Sequence, residues 1–321
     1  MITLRLAVRD WDYLTPLILK DIKSDKINLE LVRVDTLPDH VSNVENYDAM
    51  EMSFSRYALS QEQDNYNDII GIPYFLMRAF RHRCIITKYN SPLKTIRDLK
   101  GKRIGLTGWQ DSGNIWTRAI LRRQGIDIED NQWYLSRLTS DQIKLENRGF
   151  PFVNNDYIYE VKDEIPLISL LEMGKLDAIF TAFMPNDFYS SFSLLRHLLP
   201  NFVTDEQAYF KQVNYVPGIH IIGIKKQVLE KTPWLVDEVC TLLDRSLALW
   251  QQKREKYADT SPWLIDELRR AHKVLPANWN KNGFLNNRQM IADFANELFQ
   301  QHLTKKRLTP EQLFPYFNTN N

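Results

Sequence analysis

Apolar and polar side chains alternate over residues 4–8 with the period of a strand, and a polar, aromatic turn at 10–13 leads into an apolar run at 14–19 that predicts a short helix. Residues 27–34 predict a second strand, Ala49 and Met50 a short apolar edge, and residues 54–61 a serine-capped helix. The segment IPYFLMRAFRHRCIIT sets Arg78, Arg81 and His82 close together just ahead of a strand at 84–87. In SPLKTIRDLKGKRIGL, Thr95 with Asp98 has the spacing of a capping box, and Gly101 ends that helix. Residues 104–107 open a new unit. The run GWQDSGNIWTRAILRRQG then predicts a loop and a helix capped by Asp111 or Ser112, with Ile115, Trp116, Ala119 and Ile120 on its inner face. Pro166 at a first helical turn, a helix at 167–173, Gly174 as its terminator and a strand at 176–180 make another pair.

After Pro185 the pattern changes. A strand at 220–224 is followed by helices opened by Thr232-Pro233, Ser261-Pro262 and Thr309-Pro310, each a capping hydroxyl before a proline. Strands alternating with helices predict an α/β fold with mostly parallel sheet. A strand that returns after a complete α/β unit predicts two lobes joined by two hinge crossings, lobe one comprising 1–88 and 185–321 and lobe two 89–184. A ligand is then expected between the lobes, at strand carboxyl ends and helix amino ends. The helical C-terminal region, with Trp234, Trp250, Trp263 and Trp279 spread through it, is expected to pack on lobe one, a homo-oligomer contact being its other use.

The chain's 321 residues are enough for two such lobes. Its 41 basic and 40 acidic side chains leave a formal charge of +1, which calls for neither nucleic acid nor an anionic membrane. No run approaches the roughly 18 apolar residues of a membrane span. Arg5, Arg9, Asp10 and Asp12 interrupt the start where a secretory signal needs an unbroken apolar core, so a cytoplasmic location is expected. Cys84 and Cys240 sit in apolar contexts and read as reduced core residues.

The runs YDAMEMSFSRY, IPYFLMRAFRHRCIIT, LKGKRIGLTGWQDSGNIWTRAILRRQGI, LLEMGKLDAIFTA, EQAYFK with VPGIH, and LTPEQLF together resemble the 4,5-dihydroxyphthalate decarboxylase family over nearly the whole chain. LKGKRIG is shared by many solute-binding proteins, whereas EMSFS with RAFRH and a later IH before a strand is more specific. The resemblance implies a type 2 periplasmic-binding-protein-like fold without an export signal, and an enzyme that removes one carboxylate from a dihydroxylated aromatic ortho-dicarboxylate without a cofactor. The segment TAFMPNDF departs from the proline- and arginine-rich run expected there, which bears on the ring substituents accepted.

Such chemistry needs a proton donor at the carbon bearing the departing carboxylate, cations for the remaining carboxylate, and an acceptor for the para hydroxyl. His82 and His220 are the candidate donors, with His82 the favoured acid; Glu51 is either a base for the phenol or an arginine's partner. Arg78 and Arg81 are the candidate carboxylate clamps, on opposite faces if the segment is extended. Ser53 and Ser55 could bond a substrate oxygen or cap the helix that follows. Trp109, Gln110 and Ser112 precede a helix amino end where anions bind, and Thr181 follows a strand end. Trp109 either stacks on an aromatic ring or closes the lobe. His40, His197, His272 and His302 read as surface groups. Glu51, His82 and His220 would form a two-histidine, one-carboxylate metal set only if they converge, and their spacing shows no HxH or HExxH pattern. The competing class is a non-catalytic binding protein for a small carboxylate.

Overall fold

The computed structural model describes residues 1–37, 44–62, 68–142, 156–161 and 165–317; His40 lies outside them. The described residues divide into two compact units, one drawn from Met1–Arg78, Gly218–Gln289 and Pro310–Asn321, the other from Ala79–Pro217 and Met290–Thr309.

In the first unit, strands numbered in chain order are β1 (Ile2–Val8), β2 (Ile27–Arg33), β3 (Ala49–Ser53), β4 (Ile69–Arg78) and β11 (Gly218–Lys225), in the sheet order β2-β1-β3-β11-β4. β1 is parallel to β2 and β3, while β11 runs antiparallel to both β3 and β4. β3 is therefore central rather than an edge, and its first four residues are buried. The sheet is mixed rather than mostly parallel because β11 enters from the second unit, not from a crossover helix. Leu4, Leu6, Ile72, Ile222 and Ile224 share a core with Leu235, Val236, Val239, Leu242 and Leu243 of the helix Leu235–Lys256. That amphipathic spacing is what docks the helix on lobe one.

β4 and β11 do not pair evenly: His220 lies opposite Met77, but Ile222 lies opposite Ile72. The bulge takes in Pro73, which has no N–H for the ladder. Its backbone is satisfied elsewhere, the Pro73 carbonyl by Gly283 N–H at 3.0 Å, the Phe75 N–H by Asn282 Oδ1 at 2.8 Å, and the Leu76 carbonyl by the Tyr13 hydroxyl at 2.7 Å.

The second unit holds β5 (Ile85–Lys88), β6 (Arg103–Leu106), β7 (Gln132–Leu135), β8 (Ile158–Glu160), β9 (Ala178–Phe180) and β10 (Leu195–His197), in the order β10-β5-β9-β6-β7-β8. β6 is parallel to β7 and β9, and β7 to β8, whereas β5 is antiparallel to β9 and β10. Both lobe boundaries expected from the sequence fall inside this unit, since β5 and β10 pair with each other. The chain enters it between Arg78 and Ala79, within RAFRH, and leaves between Pro217 and Gly218. Residues 290–309 return to it, so part of the C-terminal region belongs here. Gln301 bridges by accepting from Arg118 Nε at 2.6 Å and donating to the Ile115 carbonyl at 3.0 Å. The capping box of Thr95 and Asp98 forms on the short helix Ile96–Leu99, and Gly101 takes the left-handed backbone at φ 73°. Arg103 in LKGKRIG makes a forked bond to both oxygens of Asp177 at 3.0 Å.

Tyr57, buried and donating to the Leu313 carbonyl at 2.5 Å, lies directly over Gly71 of β4. A Cβ there would stand 2.6 and 2.7 Å from Tyr57 Cε2 and Cε1. Gly71→Ala is expected to lower unfolding free energy by about 1–3 kcal/mol through overpacking, read from denaturant midpoints; an unmoved midpoint would show that the ring yields.

Candidate functional site

In the first unit the register of β3 and β11 makes the site. Ser53 lies opposite His220 and Glu51 opposite Ile222, so Glu51 and His220 are diagonal neighbours on one face. Glu51 is 0% exposed, and its Oε1 accepts from His220 Nδ1 at 2.5 Å. Its Oε2 accepts from the Arg9 backbone N–H and from Trp11 Nε1, both at 2.9 Å. The carboxylate thus holds the imidazole by Nδ1, leaving Nε2 outside that bond. Ser53 Oγ stands 2.9 Å from Ser55 Oγ, and Ser55 is buried in the first turn of the helix Phe54–Glu62.

Arg78 ends β4 in the same unit. Its Nη2 donates to Asn287 Oδ1 at 2.8 Å and Asn282 Oδ1 at 3.1 Å, and the guanidinium lies 4.7 Å over the Phe75 ring. Burial pushes its pKa down to about 10. The structure therefore ties Arg78 into the polar cluster that completes the β4 bulge, and the two asparagines carried no signal in the sequence.

In the second unit Arg81 is 2% exposed, and its Nε and Nη1 have no hydrogen-bond partner among the described residues. The guanidinium packs on the backbone of Gly113, where a Cβ would come within 2.7 Å of Nη2, in the first turn of the helix Ser112–Arg123. Desolvation lowers its pKa, offset in part by Asp111 and Glu206. A buried cation beside the positive end of a twelve-residue helix is an environment that favours an anion. Glu206 accepts from the Arg83 backbone N–H at 3.4 Å, and burial raises its pKa to about 7.

His82, the favoured acid of the sequence reading, sits where burial disfavours its charged form. It is 4% exposed, packs edge-on against Tyr209 at 5.4 Å, and its Nδ1 has no partner among the described residues. Burial pulls its pKa down to about 4, so the ring is neutral at physiological pH. Trp109 is a core residue rather than a stacking platform: Arg118 covers its face at 3.8 Å and Trp133 meets it edge-on at 5.6 Å. Thr181 is buried, and its hydroxyl donates to the Phe183 carbonyl at 2.8 Å, closing its own turn. Gln110 and Ser112 are buried on either side of Asp111, which occupies the cap position without a side-chain cap bond; Thr107 Oγ1 donates to its Oδ2 at 3.3 Å. His197 is half-buried between the rings of Phe188 and Phe202, each at 4.9 Å, not a surface group.

The expected residues therefore collect in two places, Glu51, His220, Ser53 and Ser55 in the first unit and Arg81, Gln110 and Ser112 in the second. Among the described residues no three His, Cys, Asp or Glu side chains are grouped to hold a metal ion, and no helix is long and apolar enough to cross a membrane. Sequence reasoning missed Trp11, whose indole reaches a carboxylate forty positions away in sequence.

The NMT1/THI5 like family model matches residues 76–143. A 4,5-dihydroxyphthalate decarboxylase of Comamonas testosteroni is 24% identical over 97% of this chain and 96% of its own. One of Pseudomonas putida is 28% identical over 58% of this chain and 73% of its own. Among solved structures, the periplasmic aliphatic sulphonate binding protein SsuA from Escherichia coli superposes with TM-score 0.56 at 16% identity, over 98% of this chain and 97% of that one. The desulfurization enzyme DSZB superposes with TM-score 0.53 at 13% identity, over 98% and 96%. By sequence the chain thus resembles the 4,5-dihydroxyphthalate decarboxylases along nearly its whole length, and by architecture it has the two-sheet α/β fold of the periplasmic binding proteins.

Proposed function

We propose that the chain is a cofactor-independent decarboxylase of a dihydroxylated aromatic ortho-dicarboxylate of the 4,5-dihydroxyphthalate kind. The observation that carries this reading is the Glu51–His220 pair, a buried carboxylate holding an imidazole in one orientation, in a chain whose relatives bear that enzyme's name. His220, protonated, gives its Nε2 proton to the ring carbon that bears the departing carboxylate. The bond from that carbon to the carboxylate breaks, its electron pair restores the aromatic ring, and carbon dioxide leaves. The neutral imidazole, still bonded to Glu51 through Nδ1, regains a proton from water. The hydroxyl para to the reacting carbon supplies electron density, and a nearby serine such as Ser53 can accept its proton in a hydrogen bond. Arg81, a buried cation whose Nε and Nη1 have no partner among the described residues, is the cation proposed to attract a carboxylate of the substrate.

The second reading, a solute-binding protein for the same kind of anion, is favoured by the fold of SsuA. Release of carbon dioxide by purified chain given 4,5-dihydroxyphthalate separates the two, tight binding without gas being the outcome for a binder. His220→Gln is expected to cut kcat by roughly a hundredfold or more, and His82→Gln to leave it within about threefold. The reverse pattern would return the acid's role to His82.

Arg81→Met is expected to raise KM about tenfold or more with a smaller change in kcat. Glu206 is protonated below about 7 and charged above it. Ionised, it competes with substrate for Arg81, so KM should climb as pH rises through that value, and Glu206→Gln should flatten the climb. A KM that is level with pH in both proteins would remove Glu206 from the binding step.

A further inference from the structure

We propose that Trp11 is a positioning residue for the proton-donating imidazole, its indole N–H pinning one oxygen of Glu51 so that the other is reserved for His220. The geometry stands by itself; the consequence for turnover rests on the decarboxylase reading.

Directly after β1 the chain makes a tight turn in which the Trp11 N–H donates to the Arg9 carbonyl at 2.8 Å. That turn aims two donors, the Arg9 N–H and Trp11 Nε1, at the same Glu51 oxygen from 2.9 Å each. A carboxylate has a soft terminal torsion, so an unpinned Glu51 could rotate and offer His220 either oxygen or neither. With Oε2 occupied twice, only Oε1 remains for the ring, and the Glu51 side chain is fully buried, so a lost donor is costly. The turn is itself held at its far side: Tyr13 donates to the Leu76 carbonyl at 2.7 Å, its own carbonyl accepts from Ser246 Oγ at 2.8 Å, and Leu14 is buried. A donor mounted on a backbone fixed at both ends acts on the imidazole through Glu51 as an outer ligand acts through an inner one. Trp11 also packs against the first unit's core, so packing alone is the alternative use of the side chain. Phenylalanine separates the two, keeping an aromatic body and removing the N–H.

The test uses the full chain labelled with ¹⁵N-histidine. The Nδ1–H resonance of His220 is assigned by its loss in His220→Gln, and Trp11→Phe is then compared with the unsubstituted chain by that resonance and by steady-state kinetics. The expected result is a shifted Nδ1–H signal that exchanges faster with water, with kcat lower by roughly tenfold and KM within about twofold. A resonance that does not move overturns the positioning role, whatever the turnover. A shifted resonance in a protein that releases no carbon dioxide even unsubstituted would sink the decarboxylase reading and leave the positioning of His220 standing. If Trp11→Phe fails to fold, Trp11→Met, which also keeps an apolar body without the donor, is read by the same two measurements.

Discussion

Everything assigned to the first unit depends on the register of one strand. β11 enters the sheet from outside, antiparallel to β3, and places His220 across from Ser53 and diagonal to Glu51. A slip of one residue would turn His220 to the other face and leave a fully buried carboxylate without the imidazole, at a cost of several kcal/mol. Two features hold the register. Ile222 and Ile224 lock into the core with Ile72 and the helix Leu235–Lys256, and the bulge opposite absorbs the mismatch with β4. The first unit thus fixes an imidazole by backbone geometry, with Glu51 as the joint between the β1 turn and the returning strand.

Two buried arginines and one partly buried one show how differently the same side chain is used. Arg118 is fully buried and largely compensated: its Nε meets Gln301, its Nη2 the Trp109 carbonyl at 2.6 Å, and its face the Trp109 ring, with Nη1 left without a partner among the described residues. Arg78 is compensated by two asparagines and Phe75. Arg81 is buried, its Nε and Nη1 have no partner among the described residues, and Cys84, Asp111 and Glu206 only partly offset its desolvation. A guanidinium left that way is costly, and an anionic ligand is the group whose binding would repay the cost.

The sequence carried much of this and stopped at definite points. Alternation located β1, residues 27–34 were legible as β2, and the capping box, Gly101 and the inner face of the helix Ser112–Arg123 were legible because they are local. β4 was not, since a strand buried through most of its length and bulged at Pro73 shows no alternation. The passage between units inside RAFRH separates Arg78 from Arg81, and no neighbour-to-neighbour signal marks it. Glu51 and His220 could be named as residue types suited to the chemistry, but their contact is a matter of strand register. For His82 and Trp109 the linear reading stopped at residue type, because burial, which decides whether an imidazole charges or an indole face is free, is a property of the packed chain.

The central claim is that the carboxylate of Glu51 makes His220 an oriented proton donor. Its most direct trial is carbon dioxide release from 4,5-dihydroxyphthalate by the full chain bearing Glu51→Gln, which keeps the side chain's shape and removes the charge that holds the ring. Turnover should fall by about two orders of magnitude while the dissociation constant for the diacid stays within a few-fold. Release at the unsubstituted rate would mean that the pair is structural and that the chemistry, if present, is done elsewhere.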